Sequence, residues 1–345
     1  MFKRFLGAFI IIHLFGCTPA VPPQDAQLRG IQQLIRASDE EKRLIIANFH
    51  YQNGVELQKQ FQHDQAIEEF SRAIALNSKL LSAYYRRGVS FLLKEEYDRA
   101  LEDFDEIISL KPNFAEAYNG RGNAYRNKEQ YELAFENYNK AIALKPNLDI
   151  AYLERGIVND VQGNHDQAIE DINKAISLNP NSADAYNSLG ITYRNKIEYD
   201  QAIKYFTKAI SLDPKMVLAY SNRAKVYQRK GDYRKALLDY NTALKENPKS
   251  ALALNNLAWF LATVEVPGFR DGEKALELAL KACELTEWKN PNYWDTLAAA
   301  YARMDDYDNA IKWQNKALEI PKYAQNKEMR ERLNLYKRGK AFPSD

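Results

Sequence analysis

Apolar and polar residues alternate with helical spacing along most of this chain, and the pattern itself returns every 34 residues. Pro112, Pro146, Pro180, Pro214 and Pro248 mark the interval. Placing Pro112 at position 32 of a 34-residue frame brings further columns into line. Position 20 is alanine throughout, from Ala66 and Ala100 to Ala275 and Ala310. Position 27 reads Ala73, Ile107, Ala141, Ala175, Ala209, Ala243, Ala282 and Ala317. Position 8 is Gly54, Gly88, Gly122, Gly156 and Gly190, then Ala224, Ala258 and Ala298. Position 4 is aromatic in most frames, from Tyr84 to Tyr220 and again at Trp294, with His50 and Leu254 as variants.

The columns resemble those of the tetratricopeptide repeat, which implies two helices, A and B, in each frame. Small residues at positions 8, 20 and 27 let them approach closely, and aromatics at positions 4 and 11 fill the gaps between. Proline at position 32 ends helix B, because it has no amide hydrogen to donate and biases the residue before it away from helix. A strict period of this length makes a stacked array rather than a globular domain. Eight repeats follow: 47–80, 81–114, 115–148, 149–182, 183–216, 217–250, 251–290 and 291–324. The seventh carries an insertion at 263–272. Ahead of them, residues 27–46 form an N-terminal helical segment, and Ser38 with Glu41 has the signature of a capping box. Behind them, residues 325–345 supply a capping helix, with Met329, Leu333 and Tyr336 on one face, and a tail.

These columns resemble the tetratricopeptide repeat over residues 47–324. The resemblance implies an all-α fold, a right-handed α-solenoid of antiparallel helix pairs. It implies a non-enzymatic scaffold that binds a protein or peptide partner in a concave groove lined by helix A. The groove candidates on those faces are Tyr51, Tyr85, Asn119, Asn123, Arg126, Asn187, Arg194, Asn222, Lys225, Asn255, Asn256 and Trp259. Asparagine both donates and accepts, which suits the main chain of an extended peptide. Tyrosine and tryptophan offer large contact area. The lysine and asparagine pair of the chaperone-binding carboxylate clamp does not occur together in any one repeat.

Arginine occupies position 7 in four repeats, where it would suit an anionic ligand. It changes together with position 23. Arg87, Arg121, Arg155 and Arg223 stand with Asp103, Asn137, Asp171 and Asp239, whereas Leu189, Leu257 and Leu297 stand with Tyr205, Leu278 and Trp313. The covariation along one chain predicts a structural pair inside each repeat.

The first residues have a different character. Lys3 and Arg4 precede an apolar run from Phe5 to Phe15, too short to span a bilayer as a helix. The run ends Leu14-Phe15-Gly16-Cys17, which resembles a bacterial lipobox except for the large Phe15. The resemblance implies a signal peptide at 1–16, lipid on Cys17 and a proline-containing tether at 17–26. Localisation is then the bacterial cell envelope, with Thr18 favouring the outer membrane. The alternatives are a self-associating structural array, and a secreted soluble adaptor if Cys17 carries no lipid.

Net charge is +2, and Lys3 and Arg4 account for as much. A nucleic-acid binder needs a basic stripe for phosphates, so none is expected as a partner. The two cysteines, Cys17 and Cys283, do not make a disulfide framework. His50, His63 and His165 each replace an aromatic residue of the repeat, so no metal site is expected. No cofactor or catalytic constellation is legible, and the pattern leaves the partner and the oligomeric state open.

Overall fold

The structure, a computed structural model, describes residues 38–343. The expected signal peptide at 1–16, Cys17, the expected tether at 17–26, and residues 27–37 and 344–345 lie outside the described residues. Within them the chain is all-helical, with no strand. The helices are α1 (Asp39–Lys59), α2 (His63–Leu76), α3 (Leu81–Leu93), α4 (Tyr97–Leu110), α5 (Ala115–Asn127), α6 (Tyr131–Leu144), α7 (Asp149–Val161), α8 (His165–Leu178), α9 (Ala183–Asn195), α10 (Tyr199–Leu212), α11 (Val217–Arg229), α12 (Tyr233–Glu246), α13 (Ala251–Thr263), α14 (Gly272–Leu285), α15 (Pro291–Arg303), α16 (Tyr307–Leu318) and α17 (Lys327–Tyr336). The described residues divide into two compact units that part between Val158 and Asn159.

In the first unit each helix from α1 to α6 packs on the next, and helices A also pack on one another, α1 on α3 and α3 on α5. The second unit repeats this scheme from α8 to α17, with α9, α11, α13, α15 and α17 in successive contact. That is the arrangement of a solenoid. α1 is one uninterrupted helix that carries residues 39–46 into the first repeat. Its start is set by Ser38, whose Oγ accepts from the Glu41 amide at 3.2 Å while Glu41 Oε2 accepts from the Ser38 amide at 2.6 Å.

The alanines of position 20 are fully buried in all eight repeats, so a methyl group is all that fits between the helices. The core itself is filled from a position that the sequence pattern did not single out. Position 24, on helix B, carries Phe70, Phe104, Tyr138, Ile172, Phe206 and Tyr240, each 0–2% exposed. The rings of Phe70, Phe104, Tyr138 and Phe206 lie over the glycines of position 8. A Cβ built on Gly54, Gly122 or Gly190 would come within 2.6 Å of the ring of Phe70, Tyr138 or Phe206. The aromatics at position 4 are more peripheral, and two of them fix the repeat boundary. Tyr118 Oη donates to the Pro112 carbonyl at 3.2 Å, and Tyr152 Oη to the Pro146 carbonyl at 3.3 Å. The period-marking prolines thus end one helix and supply the acceptor for the next repeat.

The arginines of position 7 reach two helices B at once. Arg87 is bidentate on Asp103 (3.0 and 2.6 Å), and Arg223 on Asp239 (2.7 and 2.8 Å). Arg121 Nε donates to Asn137 at 2.7 Å. The remaining nitrogen, Nη1, turns back to position 25 of the repeat before. It meets Ser71 from Arg87 (2.8 Å), Asp105 from Arg121 (2.6 Å), Asn139 from Arg155 (2.6 Å) and Thr207 from Arg223 (2.8 Å). Arg155 and Asp171 fall in different compact units. Bidentate pairing of this kind spends the guanidinium on the scaffold.

Position 15, in the turn from helix A to helix B, has positive φ in repeat after repeat: Phe61, Glu95, Glu129, Gly163, Ile197, Gly231 and Asp305. Only two of these are glycine. Ile197, at φ 65° and 71% exposed, combines a β-branched side chain with a left-handed backbone and little burial. Ile197→Gly should stabilise the chain by roughly 0.5–1 kcal/mol, the relief of left-handed strain outweighing glycine's extra chain entropy. Chemical denaturation checks the sign.

The seventh-repeat insertion is pinned from within. Arg270 donates to the carbonyls of Val264 (2.8 Å) and Glu265 (2.9 Å), Pro267–Phe269 form one 3-10 turn, and Asp271 caps α14. Cys283 is a fully buried free thiol whose pKa is pushed up to about 12 by desolvation, so it is not a nucleophile in the fold.

Candidate functional site

The groove candidates separate by unit. In the first, most are engaged in packing. Tyr51 lies against Phe70, and Tyr85 against Phe104 and Phe114, with ring centroids 6.0–6.2 Å apart. Asn123 accepts from Tyr138 Oη at 2.7 Å, and Arg126 pairs with Glu154 at 3.4 Å. Asn119 is 5% exposed, and its Oδ1 has no partner.

In the second unit the helix A faces form a cleft of about 1370 Å³. Of the predicted residues it takes Arg194, Lys225, Asn256 and Trp259. Asn187 and Asn222 lie in a rung at its side: Asn222 Nδ2 donates to Asn187 Oδ1 at 3.1 Å, and Arg194 Nη1 to Asn222 Oδ1 at 3.4 Å. Asn255 is half-buried, with an unpartnered Oδ1, and does not line the cleft. Gln228, Arg229, Tyr199 and Tyr233 add to the wall.

The opposite wall is α17 and the segment after it, which the sequence presented only as a cap. Glu328, Glu331, Arg332, Leu335 and Arg338 line the cleft together with Phe342 and Pro343. One buried ion pair places them. Asp295 accepts from Arg332 Nε (3.0 Å) and Nη2 (2.7 Å), and from Gln314 Nε2 (2.8 Å). Asp295 occupies the same repeat position as the groove candidates Tyr51, Tyr85, Asn119 and Asn187, but the pair takes it out of reach of a partner, at 7% exposure. Burial pushes its carboxyl pKa up, and the Arg332 charge and the Gln314 amide oppose that shift. The Arg332 guanidinium also stands 5.1 Å from the Trp259 ring and 5.8 Å from that of Phe342. Arg303 fixes the tail by donating to the carbonyls of Phe342 (3.0 Å), Pro343 (3.2 Å) and Ala262 (2.9 Å).

Two polar groups in the cleft stand out. Asn256 is 7% exposed, and its Nδ2 donates to nothing. Lys225 is open to water along the cleft but walled by protein elsewhere. Desolvation first, and the Arg194 charge second, hold its pKa below the usual lysine range.

Two of the histidines are spent locally, while His63 stands edge-on to Phe61 with its Nδ1 unpartnered. His50 Nδ1 meets Glu69 at 2.8 Å and His165 Nδ1 meets Asp160 at 2.8 Å. Among the described residues no three His, Cys, Asp or Glu side chains gather as a metal would require, and no helix is long and apolar enough to cross a membrane.

A solenoid of helix pairs with a polar cleft on its helix A side defines a helical repeat protein of the binding type. Family models described as tetratricopeptide repeat match residues 82–114, 115–148 and 183–216, and again 219–329; one described as TPR repeat matches 162–196. The chain is a tetratricopeptide-repeat array. Among solved structures, the APC/C hetero-tetramer Cut9–Hcn1 matches with TM-score 0.64 and 16% identity, over 90% of this chain and 59% of that one. Yeast Tom70 matches with TM-score 0.60 and 19% identity, over 88% of this chain and 66% of that one. Pseudomonas aeruginosa pilF matches with TM-score 0.50 and 18% identity, over 61% of this chain and 96% of that one. These likenesses are of fold. No curated protein matches the chain.

Proposed function

We propose that this chain is a non-enzymatic interaction scaffold that holds an extended segment of a protein partner in the cleft between α9, α11, α13 and α17. The observation that carries this reading is Asn256: a donor held more than nine-tenths buried and left unpaired on the wall of an open cleft. An unmade hydrogen bond of that kind costs about 1–3 kcal/mol, and a main-chain carbonyl of a peptide would recover it. Trp259 and the nearby tyrosines supply apolar contact at small entropic cost.

Tethering to a bacterial envelope through lipid on Cys17 completes the proposal. It is supported by the basic Lys3 and Arg4, the apolar run to Phe15 and the Gly16-Cys17 ending. Multiple acyl chains would hold the array at the membrane where one would not. Radioactive palmitate should label the wild type and not Cys17→Ser; equal labelling of both excludes that anchor. For the cleft, affinity capture from envelope membranes should recover a partner with the wild type and lose it with Asn256→Ala/Trp259→Ala. An unchanged set of captured proteins would overturn the cleft as the binding surface.

A further inference from the structure

The charge in this cleft is unevenly placed. Arg194, Lys225 and Arg229, from α9 and α11, line it without a carboxylate bound to any of them. Arg194 donates only to the neutral amides of Asn195 and Asn222. Lys225 and Arg229 make no hydrogen bond or ion pair among the described residues. The acid that Arg194 feels, Asp160, is already engaged by His165 (2.8 Å) and by Asn195 Nδ2 (2.8 Å). The acids of the cleft, Glu328 and Glu331, are on the α17 wall, where Arg332 and Lys327 lie 4.0 and 3.9 Å from them, and Glu265 is in the seventh-repeat insertion.

The three cations also act on one another. Arg194 depresses Lys225 after desolvation, and Arg194 is itself lowered by desolvation first, with Asp160 opposing that shift and Arg229 adding to it more weakly. Elsewhere in the array, lysines and arginines between repeats find acids: Lys196 with Asp166 at 2.6 Å, Arg121 with Asp105 at 2.6 Å, and Lys230 with Asp200. The cluster of Arg194, Lys225 and Arg229 departs from that habit. It is an electrostatically unsatisfied surface, and an anion relieves it.

We propose that the cleft selects an acidic stretch of polypeptide, with side-chain carboxylates on Arg194, Lys225 and Arg229 and a main-chain carbonyl on Asn256. This rests on the peptide-binding reading above and names the chemistry of its ligand. A polypeptide fits better than a nucleic acid on two counts. The cluster of Arg194, Lys225 and Arg229 is on one wall; on the other, Arg332 is spent on Asp295, and Glu328 and Glu331 beside Arg338 would repel a continuous phosphate backbone. The amides of Asn256 and Gln228 match peptide groups rather than phosphates.

Fluorescence anisotropy with the full chain in detergent tests this. Three labelled probes are used: a short extended peptide alternating glutamate with alanine and tyrosine, the same peptide with glutamine for glutamate, and an oligothymidylate. The glutamate probe should bind at least about tenfold more tightly than the glutamine probe, the scale of one charge-assisted hydrogen bond. Added salt should weaken it. Lys225→Gln/Arg229→Gln, both at exposed positions, should lose about tenfold for the glutamate probe and little for the glutamine probe, with an unchanged melting temperature. Equal binding of the two peptides, or a double variant indistinguishable from wild type, overturns the acidic preference. So does tighter binding of the oligothymidylate, or binding of neither peptide. If both peptides bind equally and Trp259→Ala weakens both, the acidic preference alone has failed. If envelope capture finds no dependence on the cleft, the underlying reading has failed.

Discussion

Arg332→Met should destabilise the C-terminal end of the array by about 3–5 kcal/mol, the usual cost of removing one partner from a buried ion pair. Arg332 is bidentate on Asp295, and both are more than nine-tenths buried. Without the guanidinium, Asp295 keeps only the Gln314 donor, inside a cluster of apolar side chains. The loss goes beyond the pair. Arg332 also stands between Trp259 and Phe342, so its removal loosens α17 and the tail that form one wall of the cleft. Urea denaturation of the variant should show an early transition of the C-terminal helices. Adding Asp295→Leu to Arg332→Met should recover much of the stability, because no charge is then left buried. Strictly additive losses in the double variant would show that the two residues are not energetically a pair.

Phe104→Ala should cost about 3–5 kcal/mol, as large-to-small changes at a fully buried ring do. The ring lies between two helices A. A Cβ on Gly88 would stand 3.0 Å from it, and one on Gly120 would stand 2.5 Å from it. It therefore joins its own repeat to the next one in the first compact unit. Arrays are stabilised by such nearest-neighbour interfaces, so the cavity weakens the coupling of α3 and α4 to α5 as well as the local pair. The converse change, Gly120→Ala, drives a methyl into the same ring and should cost about 1–3 kcal/mol. Equilibrium denaturation measures both, and losses below about 1 kcal/mol for Phe104→Ala would show that the ring is not the core contact described.

What repeats along the chain was legible, because repetition multiplies the signal. Eight alanines at position 20 and five prolines at position 32 announced the helix pairs and their ends. The covariation of positions 7 and 23 pointed to contacts such as Arg87 on Asp103. Position 24 is periodic too, yet its role is hidden in the sequence. Its residues are Phe, Tyr and Ile, which look like any apolar helix position until the glycines beneath them are seen. The second half of each arginine's bonding was harder to find. Ser71, Asp105, Asn139 and Thr207 share only a polar group, so position 25 shows no common residue type.

What occurs once was not legible. The contact of Asp295 with Arg332 spans 37 residues and has no counterpart in other repeats. Nothing in the spacing says that α17 forms a wall, or that Phe342 returns to Trp259. The groove candidates were chosen by face, and a face does not tell an exposed amide from one held in a rung such as Asn187 with Asn222. Lys225 and Asn256 lie on the same face, but their lack of partners appears only in three dimensions.

The claim that the cleft of the second unit is where the partner lies is tested most directly by photo-crosslinking in cells. A benzoylphenylalanine is placed in the full chain at Gln228, inside the cleft, and separately at Lys208, on exposed helix B. The account predicts a discrete crosslinked partner from Gln228 and none from Lys208. A partner crosslinked from Lys208 and not from Gln228 would contradict it.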